Sequence, residues 1–331
     1  MRVVADLILE SARPVIHAGQ GVMYAGATPE LVKFAELLQI PVLTTNTGKS
    51  AFPEHHALSL GASVTSAPKA VFHFLKTADL VIGVGTSFTI NPWAPKIPVG
   101  KRVVHINSDP ADINKDVPCE AAIVGDAKLV LQALIDEVGA RKRRDVGLAA
   151  EVRAIKQEWI AEWMPELTSS ETPINQYRMI HDLMRTVDPV NTIITHEAGS
   201  PREQLVTFWE SHVPRGYLGW GKSTQLGHSL GLIMGAKLTH PEKLCINFMG
   251  DASIGMVGMD LESAVRNRIG ILTIVCNNGI MAGEVASMPV SIERYRAADL
   301  GGNYAQVAKG LGVWSTRVEK PDDFVPALRQ A

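Results

Sequence analysis

Two short turns in the second half of the chain hold the residue types from which a metal–phosphate site is built. Gly250-Asp251 opens the segment MGDASIGMVGMDLESAVRNRIGILTIVCNNGIMAGE, residues 249–284, and Asn277-Asn278 closes it, with Asp251 and Asn278 27 positions apart. The segment contains no histidine. A carboxylate and an amide oxygen are hard ligands, suited to Mg²⁺ or Ca²⁺ rather than to zinc or copper. With one nearby backbone carbonyl they make three protein ligands, too few for a closed calcium cage. Mg²⁺ is commonly held in this way, phosphate and water completing its octahedron. Ala252 and Ser253 follow Asp251 and are small enough to turn their backbone N–H groups toward that phosphate. Either turn alone is ordinary turn chemistry. The pair, on consecutive strand ends, is the signal.

The elements that must position these turns follow from the hydrophobic pattern. KLCINFMGD (243–251) and ILTIVCNNG (271–279) read as buried strands, with one helix, GMDLESAVRNR (258–268), between them. Both turns then lie at carboxyl ends of parallel strands, where open α/β sheets bind ligands. NTIITHEAG (191–199) is a further strand, and INQYRMIHDLMRTV (174–187) and LGHSLGLIMGAKL (226–238) are helices. The first 140 residues show the same alternation. PVIHAG (14–19), PVLTT (41–45), DLVIGVG (79–85) and RVVHIN (102–107) read as strands, and DAKLVLQALIDEVG (126–139) as a closing helix ended by glycine. Thr28 is placed to cap a helix entering through Pro29 and Glu30. A helix of period 3.6 runs from Leu148 through Trp163 and is expected to stop at Pro165. The expected organisation is α/β, with two doubly wound parallel-sheet domains at 1–140 and 173–331, joined by a linker with a helix at 141–172.

With 331 residues, 46% hydrophobic and 20% charged, the composition is that of an ordinary soluble protein. A formal charge of -2 argues against nucleic-acid and anionic-membrane partners. The one basic run, Arg141-Lys142-Arg143-Arg144, reads as a solvated linker. Cys119, Cys245 and Cys276 are isolated, so neither a disulfide framework nor a zinc site is supported, and a reducing cytoplasm is the default. No apolar run is long enough to span a bilayer.

The pairing of Gly250-Asp251 with Asn277-Asn278 resembles the thiamine-diphosphate motif of the acetolactate synthase and pyruvate decarboxylase superfamily. GVMYAGATPELVKFAELLQIPVLTTNTGKSAFPEHHALSLG resembles the start of that superfamily's Rossmann-like middle domain, and VHINSDPADINK its end. GHSLGLIMGAKLTHPEKLCINFMGD resembles the approach to the cofactor motif in its pyrophosphate-binding domain. The resemblance implies that Asp251 and Asn278 ligate Mg²⁺ through side-chain oxygens and Ile280 through its carbonyl. It implies that the metal bridges the two phosphates of thiamine diphosphate. Gly199 and Ser200 match an element that contacts the diphosphate, although Ser200 also suits a helix N-cap. Leu226 matches the bulky residue that bends the cofactor, and the Thr224 carbonyl would accept a hydrogen bond from its aminopyrimidine. On its own Leu226 reads as a core leucine. Glu284 stands where some 2-oxo-acid decarboxylases carry a catalytic glutamate, and by itself reads as a solvated helix residue. His196 and His228 flank these elements and receive no role.

GTSFTINPW replaces the arginine-rich segment of FAD-containing synthases, and Gly19-x-Gly21 is an incomplete dinucleotide fingerprint, so FAD is doubtful. The resemblance starts at the middle domain, so the glutamate that activates the cofactor is expected to come from elsewhere. The chain alone is then expected to have little activity and to work as a homo-oligomer, dimer or tetramer, or with a partner supplying the amino-terminal domain. A 2-oxo acid is the implied substrate, with acetolactate-type carboligation ahead of decarboxylase or acyl-CoA lyase chemistry. A non-catalytic remnant is the rival from another class.

Overall fold

The computed structural model describes residues 1–92, 94–139, 141, 147–220 and 225–331, the side chain of Glu284 excepted. Contacts divide the chain into two compact units, Met1–Trp163 with Glu210–Arg215, and Met164–Trp209 with Gly216–Ala331.

The first unit contains, in order, α1 (Arg2–Glu10), β1 (Pro14–Ala18), α2 (Gly21–Tyr24), α3 (Thr28–Leu38), β2 (Val42–Thr45), β3 (Ser59–Ser63), α4 (Lys69–Thr77), β4 (Leu80–Val84), β5 (Arg102–Asn107), β6 (Ala121–Val124), α5 (Ala127–Val138) and most of α6 (Leu148–Leu167). Its six strands are parallel in the order β3-β2-β1-β4-β5-β6, so the order reverses between β1 and β4. One face of the sheet presents Ile16, Ala18, Val42, Ile82, Val84, Val104 and Ile106 to a core shared with residues of α1, α3 and α5. The opposite face carries a polar row. His17, Gly83 and His105 are register neighbours on three adjacent strands, and Phe88 lies against both imidazoles. Residues 210–215 belong to this unit because the buried Glu54 accepts the Ser211 N–H at 2.7 Å while it pairs with the buried Lys49.

The second unit contains α7 (Gln176–Thr186), β7 (Thr192–His196), α8 (Ser200–Phe208), β8 (Tyr217–Leu218), α9 (His228–Thr239), β9 (Leu244–Gly250), α10 (Asp251–Val257), α11 (Asp260–Arg266), β10 (Leu272–Cys276), α12 (Pro289–Tyr295), α13 (Tyr304–Gly310) and α14 (Pro321–Gln330). Its four strands are parallel in the order β10-β9-β7-β8, so the order reverses about β7. Met249 of β9 packs with Leu230, Ile254 and Leu261, and Cys245 with Ile193 and Ile233, so α9 covers one face. Both units are thus α/β with all-parallel sheets, as the alternation of strand and helix patterns predicts.

Several local expectations are corrected. The stretch between the two turns holds two helices, because Asp251 itself opens α10 and the chain breaks again before α11. Proline does not end α6 at Pro165: the helix continues to Leu167. The bond lost there is to the exposed Ala161, whose carbonyl can turn to water, and continuation buries Leu167. Thr28 does not cap α3; it is the first helical residue, and its hydroxyl donates to the Ala51 carbonyl at 3.0 Å. Strands β3 and β6 and helix α4 lie outside the expected set. Of the basic run, Lys142, Arg143 and Arg144 lie outside the described residues, and Arg141 pairs with Asp6 at 2.7 Å. No helix among the described residues is long and apolar enough to cross a membrane.

Candidate cofactor site

The site is built at the carboxyl ends of β7, β9 and β10. Register pairs Gly250 with Cys276, so the turns that follow both strands emerge side by side. Asp251 is the first residue of α10 and is 3% exposed. Its Oδ2 accepts the Gly279 N–H at 2.7 Å, and its Oδ1 accepts the Ala252 N–H at 2.9 Å. The first bond carries across from one turn to the other, setting Asn278 next to the carboxylate's partner. Asn278 is exposed, and its Oδ1 accepts the Ile280 N–H at 3.2 Å. Ile280 is held by an antiparallel bridge to Asp299, flanked by bonds from Leu300 N–H to Gly279 O and from Met281 N–H to Ala298 O.

Each carboxylate or amide oxygen has a second lone pair beyond the bond it accepts here. The donor set therefore fits a hard cation. Among the described residues no group of three or more His, Cys, Asp or Glu side chains is gathered for a metal. A cation at these turns would have Asp251 as its one carboxylate and would draw its other protein ligands from amide and carbonyl oxygens. Burial, with Asp251 beside it, pushes the thiol of the neighbouring Cys276 well above the usual range.

Gly199 caps α8 at φ +81, and Ser200 is the first helical residue, so the cap position is one earlier than Ser200. Ala252 and Ser253 form the first turn of α10, with the Ser253 side chain buried. Leu226 is half-buried in the turn before α9. Thr224 lies outside the described residues. The backbone of Glu284 ends a 3₁₀ turn, Ala282–Glu284, and its side chain lies outside the described residues.

Residues 1–134 match the model of the thiamine pyrophosphate enzyme central domain, and residues 197–331 that of the C-terminal TPP-binding domain. The chain belongs to the thiamine pyrophosphate enzyme family. The relatives include a probable acetolactate synthase large subunit of Methanocaldococcus jannaschii, 30% identical over 99% of this chain and 56% of that protein. An acetolactate synthase of Mycobacterium avium is 28% identical over 99% of this chain and 54% of that protein. A 3D-(3,5/4)-trihydroxycyclohexane-1,2-dione hydrolase of Bacillus cereus is 28% identical over 98% of this chain and 57% of that protein. The chain thus spans about half the length of the curated relatives it matches.

In this member of the thiamine pyrophosphate enzyme family the structure adds one residue that sequence reasoning passed over. Glu197, directly after β7, is fully buried and accepts hydrogen bonds from Ser229 N–H at 2.7 Å, Gly227 N–H at 3.0 Å and Ser253 Oγ at 3.1 Å. A glutamate in a turn reads as solvated, and it is the approach of the start of α9, 30 residues on, and of Ser253 on α10, 56 residues on, that encloses it. His196, the last residue of β7, is enclosed too. Its ring stacks on Trp220 at 5.2 Å and Tyr217 at 5.7 Å, and burial pushes its pKa down to about 3, so it stays neutral. His228 is exposed, and its ring lies edge-to-face with that of Trp220 at 5.0 Å between centroids.

Proposed function

We propose that this chain is the thiamine-diphosphate- and Mg²⁺-binding portion of an acetolactate-synthase-like enzyme that decarboxylates 2-oxo acids and joins the product to an acceptor. The observation that carries the reading is the 2.7 Å bond from Gly279 N–H to the buried Asp251 carboxylate, which joins the two turns into one oxygen-lined site. In this reading Asp251 and Asn278 offer side-chain oxygens to Mg²⁺, and Ile280 its carbonyl. Gly199, Ser200 and the first turn of α10, Ala252 and Ser253, face the diphosphate, with Gly250 allowing close approach. Leu226 supports the body of the cofactor, and the Thr224 carbonyl takes a proton donor of its aminopyrimidine. The cofactor, when bound, supplies the nucleophilic thiazolium carbon that the side chains do not. The protein holds the diphosphate in place, excludes water and fixes orientation.

The working assembly in this proposal is a cytoplasmic homo-oligomer, dimer or tetramer, or a complex with a chain that supplies the activating glutamate. A simple 2-oxo-acid decarboxylase is the second reading, favoured by a glutamate at position 284 in the 3₁₀ turn just after the metal turn. The Bacillus cereus relative, by its name a dione hydrolase, supports a carbonyl substrate in either case.

Calorimetric titration tests the proposal. Thiamine diphosphate is expected to bind with Mg²⁺ present and to lose its affinity when the metal is removed with a chelator. Absence of binding in both conditions, or binding indifferent to Mg²⁺, contradicts it.

A further inference from the structure

We infer that Glu197 is a positioning residue for Leu226, an inference that rests on the proposed cofactor site and deepens it. Glu197 extends the strand end: its N–H donates to the Phe248 carbonyl of β9 at 2.9 Å, directly after β7, the strand about which the order reverses. The side chain is fully buried, yet no cation pairs with it among the described residues. Among the described residues its oxygens are met by neutral donors. Oε1 accepts from Ser229 N–H at 2.7 Å. Oε2 accepts from Gly227 N–H at 3.0 Å, Ser253 Oγ at 3.1 Å and Ala198 N–H at 3.4 Å. Gly227 is the N-cap of α9 and Ser229 its second residue, so the carboxylate sits where the positive end of that helix favours an anion.

Two consequences follow. The start of α9 is already satisfied by a protein carboxylate, which leaves a diphosphate to the α8 and α10 side of the site. And the turn carrying Leu226, whose next residue is Gly227, is tied to the first turn of α10 through one side chain. The fit is tight at the same point. Gly227 has φ +90, and a Cβ there would come within 2.4 Å of Val257 Cγ1 on α10. Leu226 is thus indexed to the metal turn by Glu197, without Glu197 facing the ligand.

Glu197→Gln separates positioning from general support of the fold. The two carboxylate oxygens take different N–H groups of the α9 start, so an amide must set its NH₂ against one of them in either orientation. The Ser253 hydroxyl can donate or accept, so its link to position 197 survives the exchange. The test compares two ligands on the full chain, each with Mg²⁺: thiamine diphosphate, which needs Leu226, and inorganic pyrophosphate, which needs only the phosphate half. Glu197→Gln is expected to weaken thiamine diphosphate at least about tenfold and to change pyrophosphate by less than about twofold. Glu197→Asp, which keeps both acceptors one methylene short, is expected to lie between wild type and Gln for thiamine diphosphate. It provides the same comparison should the Gln variant not fold. Leu226→Ala is expected to show the same selectivity, and the double variant to be no weaker than Leu226→Ala alone. Equal losses for the two ligands, no loss for either, or multiplicative losses in the double variant overturn the inference and leave the site standing. Wild-type protein that binds neither ligand with Mg²⁺ overturns the site itself, and the inference with it.

Discussion

His17 and His196 are neutral side chains sealed inside their units, and each responds to pH with a sign that geometry dictates. Burial pushes His17 down to about 4 and His196 to about 3. An unfolded histidine takes its proton near 6.5. Below that value the unfolded chain binds protons that the native state refuses, so stability is full above about 6.5 and falls as pH drops toward 4 and 3. Each histidine contributes at most about 1.4 kcal/mol per pH unit within its window. His17 offers the cleaner test, since neither ring nitrogen has a hydrogen-bond partner and it lies against Phe88. His17→Phe removes the titrating group and two unsatisfied nitrogens while keeping a ring against Phe88. Urea unfolding between pH 7 and 4 is expected to show a shallower acid limb for the variant than for wild type. Parallel curves would mean that His17 is protonated in the native state.

At the scale of elements, the site depends on how closely α9 approaches α10. Gly227 combines positive φ with a missing Cβ against Val257, so alanine there is opposed twice, by backbone conformation and by contact. Gly227→Ala is expected to lose about 1–3 kcal/mol from the backbone conformation alone and more from the contact, read from urea unfolding. Unchanged stability would show that the turn has room to shift. This junction also marks what was legible in the sequence. The strand ends carrying Asp251 and Asn278 were legible because parallel strands are continuous apolar runs closed by turn residues, as in ILTIVCNNG, although β10 lies at the sheet edge and is only half-buried where a buried strand was expected. Strand β3, SLGAS, was not, because its small residues show no apolar run or alternation, and burial comes from the helix laid over it. The opening of α10 at Asp251 was hidden because SIG and MVG look like loop spacing, whereas an acidic first residue at the end of a strand favours a helix start. Glu197 was invisible for a different reason: the partners that enclose it, Gly227, Ser229 and Ser253, lie 30 to 56 positions away, and nothing local distinguishes it from a solvated glutamate.

For the whole molecule, two α/β units with all-parallel sheets account for the main strand patterns of the chain, and Asp251, Asn278 and Ile280, the residues of the proposed metal site, fall in the second unit. The first unit's strand reversal between β1 and β4 is closed by backbone: a Cβ on Gly19 would come within 2.2 Å of the Gly85 carbonyl. Asp251 and its neighbours carry the proposed cofactor chemistry. The most direct test is the calorimetric dissociation constant of thiamine diphosphate with Mg²⁺, for wild type and for Asp251→Ala. Loss of the one carboxylate is expected to weaken binding at least about 100-fold, close to 2.8 kcal/mol. Equal affinity for the two proteins would contradict the assignment of this site.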